Sequence, residues 1–399
     1  MPSPTQSIDT GNFDVKACDG ERLRIVQSLI ARAPSGTKMT NKQSETTRML
    51  QYLDGSRPDL KNGMWVIGAG ASNYHSSKPL AENDSKVSFA LQLILATMSL
   101  PETGGAFALR RLALFLPEVA TDGETLINSV QGEHMVVLNG VTHTVEIPRS
   151  GISVFQEGVG VNAFCRQRGL VPPDEFLGVV DVGGGTLIGS LFDQEGELIE
   201  GSRRIVSPAN RSGVYSGLAY RISVHPLFVQ GYGSSPDPQL IVQAIATNTY
   251  TAVPNPHAPK RCMLVPDRPL LYGKAGGGFD FSEIFTECNT EWWESAIKEI
   301  WGAWAQWHPR IGRVAVAGGG AYLFKALVDH PGQKEVGLYF IPEDASYPQS
   351  YRIANAVGGY ALISPDFGVS HRTPSDDLHD RYIQNGSSAA AAVKSGGRK

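Results

Sequence analysis

The chain has 399 residues, of which 41% are hydrophobic and 19% are charged, and its formal net charge is −4. This length predicts two or more domains, with a core large enough to fold without disulfide bonds or a structural metal ion. The slightly acidic balance excludes a general attraction to nucleic acid or to an anionic membrane surface, so no direct contact with nucleic acid is expected.

The four cysteines are too widely spaced to predict a zinc site or a disulfide framework, because none forms a Cys-x-x-Cys pair. Reduced thiols of this kind are typical of cytosolic proteins, and we therefore expect a cytoplasmic location. The most apolar stretch, residues 87–100, is interrupted by polar residues and is too short to cross a bilayer. It is predicted to be a buried helix, and no membrane partner is expected.

Strands and helices alternate through the first half of the chain. A short strand leads to Asp9, and a second strand over residues 23–30 is expected to pair with it as a hairpin. The polar stretch 35–63 predicts an inserted subdomain or a mobile loop. The remaining predicted elements are strands at 65–68 and 111–117, hairpin strands at 133–137 and 142–147 around Asn139-Gly140, a strand at 151–155, and helices at 86–100 and 161–168.

The second half begins after Pro172-Pro173, where the main domain boundary is expected. Its clearest predicted helix covers residues 290–307, with Thr290 as the N-cap and tryptophans at helical spacing. These rings are expected in the core, with Trp292 or Trp307 as an alternative subunit contact. The other predicted elements are strands at 176–182, 187–192, 198–205, 314–317 and 338–341, helices at 213–222, 238–248 and 352–363, and a loop at 253–259.

Two aspartate-glycine turns carry the most informative chemistry of the chain. One is Asp9-Thr10-Gly11-Asn12, and the other is Asp181-Val182-Gly183-Gly184-Gly185-Thr186. Glycines allow backbone N–H groups to approach phosphate oxygens closely, and Mg²⁺ prefers few carboxylates with several waters. Lys16 follows Asp9 by seven residues, so a tight hairpin returns it to the same end. Each turn alone is also explained as a simple strand connection.

Five motifs in order resemble those of the actin, Hsp70 and sugar-kinase superfamily. Residues 8–16 resemble its first phosphate loop, residues 180–186 its second, and residues 314–321 (Val-Ala-Val-Ala-Gly-Gly-Gly-Ala) its adenosine motif. Residues 152–158 and 354–360 are similar to its two connecting motifs. The first phosphate loop looks closest to that of ParM-type actin-like proteins of plasmid segregation. The resemblance implies an α/β, two-lobed actin-like (ribonuclease H-like) fold with a nucleotide cleft between the lobes.

The resemblance also implies roles for individual residues. Asp9 and Asp181 would hold Mg²⁺ largely through water, and Gln156 would position the attacking water, with Glu157 as the alternative. The implied ATP-binding residues are Gly11, Asn12, Lys16, Gly183, Gly184, Gly185, Thr186, Gly318, Gly319, Gly320 and Tyr322. GTP remains an alternative to ATP, because base selection depends on contacts that the sequence does not place.

The function implied by the resemblance is an ATPase that assembles head to tail into nucleotide-dependent filaments. Plasmid or DNA segregation through a DNA-binding adaptor protein would follow. A small-molecule kinase and a non-catalytic nucleotide-binding scaffold are the alternatives, because the superfamily hosts all three. The expected domains are 1–170, with an insert around 35–85, and 171–350. A helix at 351–369 is expected to return to the first domain, and 370–399 to form a disordered tail.

Overall fold

A computed structural model describes residues 3–34, 37, 46–74, 76–79, 87–207, 212–232, 236–256, 258–273, 278–330, 338–343 and 349–364. The chain divides into two compact units, Met1–Gln167 with Ala354–Lys399, and Arg168–Ile353. The predicted tail beyond residue 370 lies outside the described residues, as does most of the stretch 35–45.

The first unit contains two sheets and three helices of its own among the described residues. Its strands are β1 (Thr5–Thr10), β2 (Asp14–Cys18), β3 (Leu23–Gln27), β4 (Leu29–Arg32), β5 (Thr47–Gly55), β6 (Met64–Gly68), β7 (Lys78–Pro79), β8 (Gly105–Ala108), β9 (Arg111–Leu116), β10 (Gly132–Leu138), β11 (Val141–Ile147) and β12 (Ile152–Gln156). Its helices are α1 (Ala90–Thr97), α2 (Val119–Val130) and α3 (Val159–Gln167).

The second unit follows the same alternation of strands and helices. Its strands are β13 (Phe176–Val182), β14 (Leu187–Phe192), β15 (Arg204–Ile205), β16 (Tyr250–Asn255), β17 (Ala258–Pro266), β18 (Leu271–Tyr272), β19 (Phe279–Asp280), β20 (Ile311–Ala317) and β21 (Leu338–Phe340). A π-helical turn (Val214–Ala219) leads into α4 (Tyr220–Ser223), followed by α5 (Pro226–Tyr232), α6 (Pro238–Ala246), α7 (Ser282–Ala303) and α8 (Lys325–Val328). The last helix, α9 (Ser350–Ile363), begins in the second unit and continues into the first.

Each unit has a five-stranded sheet with the same strand order. In the first unit the order is β12-β9-β1-β2-β3, and in the second it is β21-β20-β13-β14-β15. In both sheets the first strand along the chain pairs antiparallel with the next and parallel with a later strand. The carboxyl ends of the parallel strands therefore meet at one edge of each sheet, the usual place for a ligand site in such folds.

The core of the first unit forms around α1, which is buried along its entire length. A helix that is apolar all round must be covered on every side, and Leu93, Ile94 and Leu95 are fully enclosed. The predicted buried helix in 86–100 is therefore confirmed. The turn at Asn139-Gly140 has φ values of +49° and +83°, which is the conformation that joins β10 to β11 in a tight hairpin, as predicted.

Two predictions for residues 23–63 are wrong in part. The predicted strand at 23–30 does not pair with the first strand, because β2 lies between them. It also divides at Ser28: β3 pairs with β2 in the five-stranded sheet, whereas β4 joins a separate seven-stranded sheet. The second half of the polar stretch is not a loop, because β5 lies between β6 and β10 in that sheet. Its inward side chains Arg48, Leu50 and Tyr52 are buried, which fixes the strand despite its polar composition.

Three predictions for the second unit are also wrong. The tryptophan-rich helix runs from Ser282 to Ala303, so Thr290 is interior, and its hydroxyl donates to the Thr286 carbonyl one turn back. Trp292 is buried, and its Nε1 donates to the Ser212 carbonyl at 2.7 Å, which excludes it as a subunit contact. The predicted loop at 253–259 is instead part of the β16–β17 hairpin. Pro254 is tolerated because this sheet has only two strands, both of them edges.

Within the described ranges, no helix combines the length and apolar character needed to cross a membrane.

Candidate nucleotide site

The first half of the candidate site lies at the β1–β2 hairpin. Asp9 and Lys16 are directly opposite each other in the antiparallel register, and Lys16 Nζ donates to Asp9 Oδ2 at 3.2 Å. Each residue is only 5% exposed, so this is a buried ion pair rather than a surface one. The seven-residue separation therefore places the predicted cation beside the predicted metal-binding carboxylate.

Gly11 lies against the charged pair, where a side chain would not fit. A Cβ at Gly11 would lie 2.8 Å from Lys16 Nζ and 2.7 Å from the Asp14 carbonyl. Ser28 holds the turn from outside: its hydroxyl donates to the Gly11 carbonyl, and its N–H donates to the Phe13 carbonyl at 2.8 Å. Sequence reasoning missed Ser28, because the contact joins residues 17 positions apart. The half-buried Asn12 is part of the same turn.

Gln156 lies at the same sheet edge as the β1–β2 turn. It ends β12 opposite Leu116, the last residue of β9, and β9 is the parallel neighbour of β1. With roughly 5 Å between adjacent strands, Gln156 lies about 10 Å across the sheet from the end of β1. Gln156 is half-buried, whereas Glu157 is 6% exposed and its N–H donates to the Leu116 carbonyl. Of the two candidates, Gln156 is the more accessible.

The two connecting motifs pack against each other within the first unit. Asn355 Oδ1 accepts hydrogen bonds from the N–H groups of Gly158 and Val161, at 3.2 and 3.3 Å, at the start of α3. A Cβ at Gly358 would lie 1.8 Å from the Gly160 carbonyl, so the backbones of α3 and α9 touch at two glycines. This contact fixes the helix that follows Gln156.

The second half of the candidate site is the glycine loop after β13. All three glycine carbonyls accept hydrogen bonds from the segment that starts the π-helical turn. Val214 N–H donates to Gly183, Tyr215 N–H to Gly184, and Gly213 N–H to Gly185, at 3.0, 2.9 and 3.1 Å. The Ser216 hydroxyl adds a 2.7 Å bond to the Gly185 carbonyl.

These bonds fix the direction of the loop's N–H groups. In a trans peptide the N–H points opposite to the preceding C=O. Since the carbonyls of residues 183–185 face the helix, the N–H groups of Gly184, Gly185 and Thr186 point away from it. Successive N–H groups on one side of a turn form an anion-binding nest. The loop therefore has the chemistry that a phosphate group requires.

The predicted adenosine motif lies beside this loop. Gly318 has φ +98°, and a Cβ there would be 2.3 Å from Asp181 Oδ1. Gly320 N–H donates to the Val182 carbonyl at 2.8 Å. Asp181 itself is 7% exposed and lies opposite Ala317 in the parallel register of β13 and β20. The second unit thus brings together Asp181, the 183–186 loop and the 318–320 turn, of which Gly319 is half-buried.

Ser212 connects the glycine loop to α7, and the sequence did not single it out. Its hydroxyl accepts from Leu187 N–H at 2.9 Å, and its carbonyl accepts from Trp292 Nε1.

Tyr322 is placed differently from the other predicted residues, because its hydroxyl is buried. The pKa of Tyr250 is raised chiefly by burial, and electrostatic repulsion from Tyr322 raises it further. Among the described residues, no three His, Cys, Asp or Glu side chains form a metal-binding cluster.

Comparison with known proteins defines the fold. Residues 7–160 match the family model for the N-terminal domain of actin-like proteins. An archaeal actin homologue superposes with a TM-score of 0.63 at 15% identity, over 89% of this chain and 98% of its own. A 15-stranded ParM filament from Clostridium botulinum superposes with a TM-score of 0.63 at 14% identity, over 90% of this chain and 99% of its own. A non-polymerisable quadruple mutant of pCBH ParM superposes with a TM-score of 0.63 at 16% identity, over 90% of this chain and 98% of its own.

The chain has an actin-like fold. The resemblance to actin-like proteins of the ParM type, drawn from the five motifs, is confirmed, and so is the mixed α/β class with two units. No curated protein matches the sequence. At these identities the actin-like neighbours establish the fold, and the activity must be argued from the residues of this chain.

Proposed function

We propose that this actin-like chain is an ATPase that binds Mg-ATP between its two units and assembles into nucleotide-dependent filaments. The observation that carries the proposal is the orientation of the 183–186 loop. The carbonyls of Gly183, Gly184 and Gly185 are all engaged by the segment that starts the π-helical turn, so the N–H groups that follow them face the other way. The loop begins two residues after Asp181, whose carboxylate lies beside Gly318. A triphosphate requires such donors together with a nearby carboxylate for its metal ion.

The residues at both turns fit a hydrated magnesium ion. Asp9 and Asp181 are each nearly buried. Gly318 leaves space beside the Asp181 carboxylate that a Cβ would fill, and Gly11 leaves such space beside the Lys16 ammonium, the partner of Asp9. Mg²⁺ binds through one or two carboxylates, several waters and substrate phosphates. When bound, it would neutralise charge on the phosphates. Asp9 and Asp181 are the residues that would hold it.

The remaining roles follow from position and charge. Lys16, together with Gly11 and Asn12, would contact the phosphates, and Gln156 would orient the attacking water from the end of β12, two strands away from β1. Positioning and charge neutralisation supply most of the catalysis in phosphoryl transfer. Gly318 to Gly320 would receive the ribose and base, next to Tyr322. The proposed domains are 1–170, 171–350 and the returning helix 351–369.

Assembly and cellular role extend the proposal. The Clostridium botulinum neighbour is itself a ParM filament, and an archaeal actin homologue forms a complex with ADP. We propose head-to-tail self-association in the cytoplasm, with plasmid or DNA segregation through a DNA-binding adaptor. The acidic net charge of −4 supports an indirect contact with DNA.

Pelleting and phosphate release, measured together on the purified chain with Mg-ATP, test the proposal. The expected result is a pellet that forms only with nucleotide, accompanied by phosphate release. Soluble protein that forms ADP only after a sugar is added, and releases no free phosphate because the phosphoryl group passes to the sugar, would instead indicate a kinase. Nucleotide binding with neither pellet nor turnover would indicate a scaffold. Parallel reactions with GTP determine the preferred base.

A further inference from the structure

The large exposed apolar side chains of the described residues are concentrated in one part of the second unit. Seven of the eight, each between 40% and 57% exposed, lie between residues 220 and 271. We call this set the α4–α6 surface, and its members are Tyr220, Val224, Leu227, Val229, Tyr232, Leu240 and Leu271. Single exposed apolar residues are ordinary, whereas a concentration of this kind marks a binding surface.

These residues lie on neighbouring elements. Tyr220 and Val224 lie one turn apart at α4, where Val224 N–H donates to the Tyr220 carbonyl, and Leu227 and Val229 lie on α5. The helix α4 packs against both α5 and α6. The ring of Tyr232 lies 4.7 Å from that of the buried Tyr272 on β18, and this strand, which also carries the exposed Leu271, packs against α6. The Tyr272 hydroxyl accepts from Asp237 N–H, the N-cap of the helix that carries Leu240.

The floor of the α4–α6 surface is rigid. Phe228 is fully buried beneath it, and its ring lies within 6.3 Å of those of Tyr232, Tyr272, Phe279 and Phe281. A surface held by packed aromatic rings loses little conformational entropy when a partner binds. We therefore expect a partner to bind this surface without a change in the packing of these rings.

Area and charge identify the kind of partner. With roughly 200 Å² for each large residue and about half of it exposed, the seven residues offer roughly 700 Å². This sum approaches the roughly 800 Å² that each partner buries in a standard protein–protein interface. Between residues 220 and 232, Arg221 is the only Lys, Arg, Asp or Glu. A membrane-binding face or a nucleic-acid site would carry many basic residues.

We infer that the α4–α6 surface docks a second copy of this chain and forms one side of the filament contact. The inference rests on the proposed self-assembly, in which every subunit must present such a surface to the next. Within residues 220–232, the low number of charged residues and the presence of two tyrosines match the composition found at the centre of protein interfaces. Val224 and Leu227, which lie on either side of the junction between α4 and α5 and are the two most exposed of the residues on these elements, are expected to contribute most.

The test compares three full-length proteins by pelleting with Mg-ATP over a range of concentrations. The double variant Val224→Ser/Leu227→Ser is expected to raise the critical concentration at least tenfold. Met135→Ser is the matched control, because Met135 is the remaining large exposed apolar residue of the described chain, at 40% exposure, and it lies in the other unit. It should pellet like the wild type. Nucleotide binding and the urea midpoint of both variants should stay unchanged, which separates a lost contact from a lost fold.

The outcomes separate this inference from the proposed function. Equal pelleting of the double variant and the wild type would overturn the α4–α6 surface alone. So would an equal loss in the Met135→Ser control, because the effect would then not be specific to this surface. Wild-type protein that remains monomeric at all concentrations with Mg-ATP would contradict self-assembly as well. Association that requires an added adaptor and leaves the chain monomeric on its own would assign the surface to that partner instead.

Discussion

The ammonium group of Lys16 lies 3.2 Å from the carboxylate of Asp9, across the first hairpin of the chain, with both side chains 6% exposed. A buried pair of this kind is costly to desolvate, and removal of one partner leaves an uncompensated charge. The proposed nucleotide chemistry gives a reason for this costly pair, because it lies where the phosphates and the metal ion would bind.

Lys16→Met tests the importance of this pair. It leaves Asp9 buried without its cation, so the free energy of unfolding is expected to fall by about 3 kcal/mol. Affinity for ATP should also fall, because a cation facing the phosphates is lost. Lys61→Met is the matched control, since the Lys61–Asp54 pair has a similar 3.0 Å contact but is at least half exposed. Its effect on urea unfolding should stay below about 1 kcal/mol. Equal effects of both variants would contradict the role of burial.

Ser216→Ala tests the orientation of the glycine loop. It removes the 2.7 Å bond from the Ser216 hydroxyl to the Gly185 carbonyl. A bond of this type contributes about 1 kcal/mol, so nucleotide affinity is expected to weaken roughly fivefold. Ser223→Ala removes a bond of the same length to the Tyr220 carbonyl, away from the loop, and serves as the control. Fluorescent-nucleotide titrations that do not distinguish the two variants would show that the loop is held by other contacts.

Gly318→Ala tests the contact between the adenosine motif and Asp181. The φ of +98° is strained for alanine, at a cost of about 1–3 kcal/mol, and the new Cβ would press on the Asp181 carboxylate. Nucleotide affinity is expected to fall at least tenfold. Gly302→Ala is the control, because its Cβ would meet nothing within 4 Å and alanine favours the surrounding helix by up to about 1 kcal/mol. Wild-type affinity in Gly318→Ala would remove these glycines from the site.

Buried histidines give the first unit a pH-dependent stability. His134 Nε2 faces the Val130 carbonyl and therefore donates, so Nδ1 accepts from the Tyr52 hydroxyl at 2.9 Å. Burial is the main cause of a lowered pKa at His134, and burial also lowers the pKa of His143. As the pH falls, these two histidines therefore become protonated at a higher pH in the unfolded chain than in the folded chain. The contribution of the two neutral histidines to the free energy of unfolding is present above the unfolded pKa of about 6.5 and is lost as the pH falls below it.

The urea midpoint should accordingly fall between pH 7 and pH 5. The double variant His134→Leu/His143→Leu is expected to show a smaller fall, whatever its stability at pH 7. A slope equal to that of the wild type would show that other groups control the acid response.

Gln156→Ala and Glu157→Ala distinguish the two candidates for water positioning. Gln156 is half-buried at the sheet edge, whereas Glu157 is buried and tied through its backbone to β9. Gln156→Ala should therefore lower the rate of phosphate release by at least tenfold and leave ATP affinity unchanged. Glu157→Ala should affect stability more than turnover. A loss of turnover confined to Glu157→Ala would reverse the assignment.

Local signals in the sequence are enough to predict part of this structure. The Asn139-Gly140 turn requires positive φ at two successive residues, and few residue pairs other than Asn-Gly meet that need, so the hairpin could be predicted. Asp9 and Lys16 were paired correctly because a tight hairpin fixes its own register. The buried helix α1 was evident from an apolar run too long for a strand.

Contacts between distant segments could not be predicted in this way. Ser28 and Ser212 hold the candidate site through bonds to residues 17 and 25 positions away, and no neighbouring residue indicates them. The start of α7 was misplaced because Thr290 is a good cap in isolation, although tertiary packing extends the helix by two turns. The strand β5 was missed because its burial depends on partners that follow much later in the chain.

Electron cryomicroscopy of the full chain assembled with Mg-ATP tests the central claim most directly. The account predicts filaments in which one triphosphate contacts the Asp9 turn on one side and the 183–186 loop on the other, with the metal ion near Asp9 and Asp181. A nucleotide bound to one unit alone, with the two aspartates far apart, would contradict the proposed ATPase site and the filament mechanism built on it.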